Sequence, residues 1–172
     1  MNISRTLKKY LEEEIEFLGF VIGRDGIKTN PKKVQAIAPK NPKDLRSFLG
    51  MSGYYRRFIR DYAKLAKPLT ILLRGEDGRV SKSFSKNKTI IWTKRLWNHL
   101  IKEKKNSLVF AEIILTYPNF EKEFELTTDA SDYAIAAVLS RENKPITFLS
   151  RTLNKTEENY ATNEKEKLAI IW

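Results

Sequence analysis

The sequence predicts a mixed fold of the α+β or α/β class, and three observations lead to it. A helix-start signal precedes an amphipathic stretch in the first half, three strand-like segments follow one another closely in the last third, and an apolar stretch of helical character ends the chain. Charge divides the chain in a similar way, because residues 24–74 hold 13 Lys and Arg against three Asp. We therefore expect a basic helical unit followed by a nearly balanced β-rich unit.

Composition limits the classes of function. The chain has 172 residues, of which 41% are hydrophobic, and this is enough for a substantial core. It contains no Cys and one His, which excludes disulfides and thiol catalysis and argues against His-based catalysis. No apolar run approaches the roughly 20 residues of a membrane span, and no signal-peptide pattern is recognisable. A net charge of +11 indicates a polyanionic partner such as nucleic acid, with a solvated basic surface as the alternative.

The elements of the first half follow from local signals. Residues 16–22 (EFLGFVI) are apolar and aromatic, as in a strand, and glycine-rich turn chemistry follows them. Asn41 is a favourable N-cap, with Pro42 in the first helical turn and Asp44 three residues after the cap. The predicted elements are a strand over 16–22, a turn over 23–26, a short helix over 32–37, a helix from 42 to about Arg60, and a helix that begins at Pro68 and ends at Gly75.

The second half is predicted to follow a linker. Residues 75–90 are rich in Gly, Ser and Lys and lack apolar periodicity. Residues 133–139 are apolar on both faces, as in a central strand, whereas residues 122–129 alternate between apolar and polar side chains. The predicted elements are a helix over 93–105, a loop over 117–120, strands over 122–129, 133–139 and 145–149, and a helix over 163–172 with Asn163 as its N-cap.

One face of the predicted helix over 42–60 combines glycine with arginine. On a helical wheel, Gly50, Gly53 and Arg57 fall within about 40° of Arg46. Glycine inside a helix costs about 1 kcal/mol relative to alanine, and here it exposes bare backbone beside positive charge. A nucleic-acid duplex could approach such a face closely. A solvated face, or another helix packed on the glycines, are the alternatives. This glycine face consists of Arg46, Gly50, Gly53, Arg57 and Arg60, with Tyr54 beside it.

Two carboxylates are candidate metal ligands. Asp129 lies at the end of the predicted strand over 122–129, on its polar face, and a rigidly held carboxylate suits Mg²⁺. An Asp that caps a turn is the simpler explanation. Glu166 would occupy the third helical position after Asn163, as in a capping box, and the helical wheel does not distinguish it from Glu164. Neither carboxylate identifies a metal site by itself.

Several long motifs in order, from about residue 16 to the end, resemble the reverse transcriptase/ribonuclease H part of Gypsy-type LTR retrotransposon Pol polyproteins. The stretches that carry the resemblance are EFLGFVIGRDGIKTNPKKVQAI, DLRSFLGMSGYYRRFI with AKPLTILL, IWT, LTYPNF, FELTTDASDYAIAAVLS, KPITFLSRTLN and ENYATNEKEKLAIIW. The resemblance implies the end of a reverse transcriptase palm over 1–30, a helical thumb over 31–75, a linker over 76–92, and the N-terminal part of a ribonuclease H-like domain over 93–172. That last part would be a three-stranded antiparallel sheet followed by the first helix of the domain.

The resemblance also implies roles in nucleic-acid binding. Phe17, Leu18 and Gly19 correspond to the hairpin that positions the primer terminus. The predicted helix over 42–60 corresponds to the thumb helix that follows the minor groove of the template–primer duplex. The implied nucleic-acid-binding residues are Phe17, Leu18, Gly19, Arg46, Gly50, Tyr54, Arg57 and Arg60.

The same resemblance assigns catalytic chemistry to the last third. Asp129 and Glu166 correspond to the first and second catalytic carboxylates of ribonuclease H, which hydrolyses the RNA strand of a hybrid with two Mg²⁺ ions, and Lys167 stands where the family has Leu. The chain contains no Asp-Asp pair of a polymerase palm, and the two further aspartates of the family would follow Trp172. We therefore expect this chain to bind an RNA/DNA hybrid or a DNA duplex and to act together with the rest of Pol, without independent catalysis. Its expected location is inside the cell, in a cytoplasmic particle or the nucleus, and no membrane partner is expected. A non-catalytic basic nucleic-acid-binding remnant is the alternative.

Overall fold

The computed structural model describes residues 14–33, 39–73 and 113–172. Within these ranges the chain forms two three-stranded antiparallel sheets and three α-helices, none of which is long and apolar enough to cross a membrane. Outside them lie the predicted linker over 76–92, the predicted helix over 93–105, the predicted helix end at Gly75 and most of the short helix over 32–37, before which residues 31–33 form a turn. The elements are β1 (Glu14–Phe17), β2 (Phe20–Gly23), β3 (Gly26–Thr29), α1 (Pro42–Tyr54), α2 (Tyr62–Ile71), β4 (Glu125–Ala130), β5 (Ala134–Arg141), β6 (Lys144–Thr152) and α3 (Thr162–Ile171), with 3₁₀ turns at Arg56–Phe58 and Glu157–Asn159.

The first sheet consists of two tight hairpins in the order β1-β2-β3. The single strand predicted over 16–22 is wrong, because the chain reverses at Leu18 and Gly19 between β1 and β2. Both turn residues have positive φ, 49° and 83°, as a two-residue hairpin loop requires. An apolar Leu in that conformation gives no turn signal, which is why the run looked continuous. The turn predicted over 23–26 is confirmed as the loop between β2 and β3.

Helix α1 begins where the sequence predicts. The side-chain oxygen of Asn41 accepts a hydrogen bond from the backbone N–H of Asp44 at 2.9 Å. The helix ends at Tyr54, well short of the predicted end near residue 60, and a 3₁₀ turn follows. The chain leaves the helical path there, and both Tyr55 and Phe58 are buried in a core that includes the second sheet. Tertiary packing therefore overrides the helical wheel in this segment.

Helix α2 begins at Tyr62, so the predicted start at Pro68 is wrong. The proline lies inside the helix. Ala63, Ala66 and Leu69 are buried along one side of α2. The apolar spacing continues past the proline. The stabilisation from burying this side of α2 therefore exceeds the cost of the one backbone hydrogen bond that a proline removes.

The second sheet confirms three successive strands, in the order β4-β5-β6. Strand β5 is central, and its first four residues are all buried, as a strand covered on both faces requires. Strand β6 continues to Thr152, beyond the predicted end at Leu149. Together with α3, this antiparallel sheet forms the partial fold that the resemblance implies.

Helix α3 has a different N-cap from the predicted one. Ala161 occupies the N-cap position, and its backbone N–H donates to the Glu164 carboxylate at 2.9 Å. Asn163 as N-cap is therefore wrong, because extended backbone at Ala161 places the helix start at Thr162. Glu164 supplies the capping carboxylate. Glu166 consequently has no part in the capping interaction that sequence reasoning offered as its simplest explanation.

Different helices cover the two faces of the second sheet. Ala136 pairs with Ser150 across β5 and β6, and the Ser150 hydroxyl accepts a hydrogen bond from the backbone N–H of Ala63 at 3.0 Å, so α2 lies on this face. Ile135 is the preceding residue of β5 and points to the opposite face. There it is buried with Ala169 of α3. The sheet is thus the middle layer between α2 and α3.

Candidate nucleic-acid interface and carboxylate site

Gly50 lies on an open surface of α1. It is exposed, and no atom within 4 Å faces the position that a Cβ would take there. A helix packed on this glycine is therefore excluded among the described residues. Gly53 differs, because a Cβ there would lie 3.4 Å from the Tyr62 hydroxyl of α2. The part of the glycine face that is open to solvent is therefore narrower than the helical wheel predicts. Gly50 lies at its centre, and the half-buried Arg46 lies one helical turn before it.

The remaining arginines of the glycine face lie beyond α1. A continuous helical stripe through Arg57 and Arg60 is wrong because α1 ends at Tyr54. Both arginines are nevertheless exposed. The Arg57 guanidinium lies 5.7 Å from the centre of the Phe58 ring. Arg60 lies 4.0 Å from the carboxylate of its neighbour Asp61. These cationic groups therefore belong to the turn after α1.

The tip of the β1–β2 hairpin contacts the C-terminal end of α1. The Tyr54 hydroxyl donates to the Leu18 carbonyl at 2.8 Å, and the Tyr55 hydroxyl donates to the Gly19 carbonyl at 3.1 Å. The side chains of Phe17 and Leu18 are exposed. The structure thus brings the candidate hairpin residues 17–19 beside Tyr54. The hydrogen bond of Tyr55 could not be predicted, because no local sequence pattern reveals a partner 36 residues away.

Burial of Tyr55 has an electrostatic consequence. Desolvation, and secondarily the neighbouring Tyr54, raise the pKa of its phenol above the ordinary value. The phenol, which is protonated at neutral pH even at its ordinary pKa, therefore remains a hydrogen-bond donor further into the alkaline range.

Asp129 faces the helical unit. It pairs with Ala136 across β4 and β5, so its side chain points to the face of the sheet that α2 covers. Its carboxylate is exposed on that face and forms an ion pair with the Lys64 ammonium of α2. Asp129 therefore contributes to the contact between the helical unit and the second sheet.

Glu166 lies on a different element. It is exposed on α3, whose buried face packs against Ala130 and Ile135 on the other side of the second sheet. The Asp129 side chain thus points to the face that α2 covers, whereas Glu166 lies on the helix that covers the opposite face.

Asp129 and Glu166 are the two candidate metal ligands, and their surroundings bear on that assignment. Carboxylate oxygens are suitable ligands for Mg²⁺, but Asp129 already has an ammonium partner. Among the residues that the structure describes, no group of three or more His, Cys, Asp or Glu side chains lies close enough to hold a metal ion. The assignment of Asp129 and Glu166 as metal ligands therefore stays a prediction.

Comparisons with known proteins match both halves of the chain. Residues 92–172 match the family described as the RNase H-like domain found in reverse transcriptase. The Retrovirus-related Pol polyprotein from transposon gypsy of Drosophila melanogaster is 46% identical over an alignment of 176 positions, which covers 100% of this chain and 17% of that protein. The corresponding polyprotein from transposon opus of the same organism is 49% identical over an alignment of 181 positions, which covers 99% of this chain and 18% of that protein. The chain thus spans about a sixth of the length of these relatives.

The fold agrees with a solved reverse transcriptase. The foamy viral protease-reverse transcriptase in complex with dsDNA is 25% identical, with a TM-score of 0.68, over 94% of this chain and 33% of that chain. The partial RNase H-like sheet with α3 and the preceding helical unit are therefore both within the matched region. Sequence identity along the whole chain and this fold together show that the chain corresponds to a segment of Gypsy-type LTR retrotransposon Pol polyproteins.

Proposed function

We propose that residues 14–73 hold the template–primer duplex in a retrotransposon reverse transcriptase/ribonuclease H. The main observation behind this proposal is the open helix surface at Gly50, which lies near exposed arginines on the turn that follows α1. The ligand would be an RNA/DNA hybrid or a DNA duplex. The foamy viral reverse transcriptase, which has a similar fold and was solved in complex with dsDNA, supports this ligand class.

The physical basis of the proposal is close approach combined with charge. A glycine backbone without neighbouring atoms lets a phosphate–sugar strand come nearer than any side chain would permit. Arg46, Arg57 and Arg60 would contact phosphates and release counterions, which makes the affinity depend on salt. The exposed tip at Phe17 and Leu18 would contact the strand terminus.

The salt dependence of binding tests this proposal. Fluorescence anisotropy would measure the affinity of the chain for a short RNA/DNA hybrid at several salt concentrations. Replacing Arg46, Arg57 and Arg60 by Ala is expected to reduce the slope of log K against log salt by about 0.9 for each phosphate that the variant no longer neutralises. A matched control replaces three exposed lysines of the second unit by Ala and removes the same charge. These are Lys144, Lys155 and Lys167.

The two triple variants distinguish a defined face from a general basic surface. We expect the lysine control to retain most of the wild-type slope. Equal reduction of the slope in both triple variants would contradict the proposed interface and favour the alternative, a basic remnant without a specific binding face.

Hydrolysis of the RNA strand is proposed only for the longer Pol protein. Asp129 and Glu166 would contribute carboxylate oxygens to Mg²⁺ there, by resemblance to the family. For this chain alone we expect no turnover of an RNA/DNA hybrid with Mg²⁺. Turnover that Asp129→Asn abolishes would show that this expectation is wrong.

A further inference from the structure

Two consecutive carbonyl groups at the hairpin tip are held by two consecutive tyrosines. The hydroxyls of Tyr54 and Tyr55 donate to the carbonyls of Leu18 and Gly19 at 2.8 and 3.1 Å. The Phe20 ring, directly after the turn, stacks on Tyr54 with a centroid distance of 5.2 Å and meets Tyr55 edge-on at 5.5 Å. The C-terminal end of α1 therefore fixes both the backbone of the turn and the strand that leaves it.

The conformation of Leu18 is unfavourable without such support. Its φ of 49° lies in the left-handed region, which an L-residue with a large side chain rarely adopts. Core burial does not compensate, because the side chain is 70% exposed. Strained residues of this kind persist where surrounding contacts over-determine them, and they are concentrated at functional sites. Here the surrounding contacts are the two tyrosine hydroxyls.

Gly19 and Tyr55 fit each other closely. A Cβ at Gly19 would lie 2.6 Å from the Tyr55 hydroxyl, and the φ of Gly19 is 83°. The hydroxyl thus occupies the space that any side chain at position 19 would need. The identity of one residue restricts the other, although they are 36 positions apart.

We propose that Tyr54 and Tyr55 are positioning residues, which hold the exposed Leu18 side chain in place for the terminal nucleotide of a bound duplex. This inference rests on the proposed function. In this arrangement the Tyr54 hydroxyl holds the hairpin by its hydrogen bond to the Leu18 carbonyl. The Leu18 side chain then contacts a sugar or the face of a base. The glycine face binds phosphates along the duplex, whereas the tyrosine-held tip distinguishes a strand end from continuous duplex.

A comparison of two duplexes tests this division of roles. One is an RNA/DNA hybrid with a recessed strand end. The other is a dumbbell of matched phosphate count, closed by loops and without an end. Tyr54→Phe and Tyr55→Phe together are expected to weaken binding of the recessed-end hybrid about tenfold more than binding of the dumbbell, because each removes one hydrogen bond that holds the tip.

Tyr62→Phe is the matched control. The Tyr62 hydroxyl is a part-buried group that contacts Ser52 at 3.1 Å and the Leu49 carbonyl at 3.3 Å, away from the hairpin. This variant should lower stability without changing the affinity ratio of the two duplexes. An unchanged ratio in the Tyr54/Tyr55 double variant, or an equal change in Tyr62→Phe, would overturn the inference.

A second measurement separates this inference from the proposed function. If the wild-type chain binds neither duplex, the proposed function is wrong. Thermal melting still tests the fit between Gly19 and Tyr55. Gly19→Ala should lower the melting temperature less when Tyr55→Phe is also present, because the clashing hydroxyl is gone. Strictly additive shifts would overturn the inference that Tyr55 sets the conformation of the tip.

Discussion

Gly50 combines a cost to the helix with a proposed benefit to binding. Glycine inside α1 loses more backbone entropy than alanine, and open space surrounds it. Gly50→Ala is therefore expected to raise the free energy of unfolding by about 0.5–1 kcal/mol. The added methyl group should at the same time weaken duplex binding, because it keeps the strand away from the backbone. Thermal melting and anisotropy titration would measure the two effects.

An exposed serine of the same helix provides the control. Ser47 lies on α1 and is exposed, so Ser47→Ala should stabilise the helix without affecting binding. Unchanged duplex affinity in Gly50→Ala would show that the nucleic acid does not approach this backbone.

Single residues were predictable where the relevant partner is close in sequence. Asn41 as N-cap depends on a contact three residues away, and the sequence contains that information. The left-handed Leu18 depends on two tyrosine hydroxyls that are 36 residues distant, and no local propensity indicates them.

At the level of elements, charged groups join α2 to the second sheet and to the 3₁₀ turn that follows it. Lys64 pairs with Asp129, and Lys67 of the same helix lies 3.4 Å from Glu158. Lys64→Gln should remove the ion-pair partner of the Asp129 carboxylate. The affinity of this carboxylate for Mn²⁺ should then rise by up to about fivefold, which corresponds to the free energy of a surface ion pair. Paramagnetic broadening of the amide signals of residues 128–131 would measure it.

Lys67→Gln serves as the control for that experiment, since it removes the same charge from α2 without touching Asp129. Equal broadening in the wild type and in Lys64→Gln would show that the ammonium does not compete with a divalent cation.

A second contact between elements, the ion pair of Arg151 in β6 with Glu157 in the following 3₁₀ turn, depends on pH. Hydrogen bonds from Arg151, and then from the backbone N–H of Asn154, hold the pKa of Glu157 below its ordinary value. The interaction thus stabilises the fold above the ordinary carboxyl pKa and is lost as the pH falls through the lowered value. Glu157→Gln should reduce the melting temperature at pH 7 and leave it unchanged at strongly acidic pH. A similar reduction at both pH values would contradict this assignment.

The ends of elements were less predictable than their order. The three successive strands of the second sheet followed from apolar patterns in sequence. The end of α1 at Tyr54 did not, because it coincides with the burial of Tyr55 and Phe58 against distant residues such as Phe148 of β6. The start of α2 was mistaken because a proline usually marks a helix start.

In the whole molecule, Phe58 connects the parts. It is fully buried in a cluster with Phe148 of the second sheet, and it stacks on Phe20 of the first sheet at 5.5 Å. Phe58→Ala should lower the free energy of unfolding by about 3–5 kcal/mol. We expect one cooperative urea transition for the helical unit and the second sheet. Two separate transitions in the wild type would show that the units fold independently.

The arrangement of the units could not be read from sequence. Charge asymmetry predicts a basic first half and a nearly balanced second half, but it does not predict how the two pack together. The docking of α2 over Asp129 depends on contacts such as that between Ala63 and Ser150, 87 residues apart. Contacts between residues so far apart in sequence produce no periodic pattern from which they could be predicted.

The most direct measurement is the map of the duplex on the protein. Amide chemical shifts of the full chain would be followed during titration with a recessed-end RNA/DNA hybrid at low salt. We expect the largest changes at Leu18, Gly50 and Arg57, on one continuous surface of the helical unit and its hairpin. Changes concentrated on β4 to β6, or spread evenly over all exposed Lys and Arg, would contradict a duplex-binding face at this position.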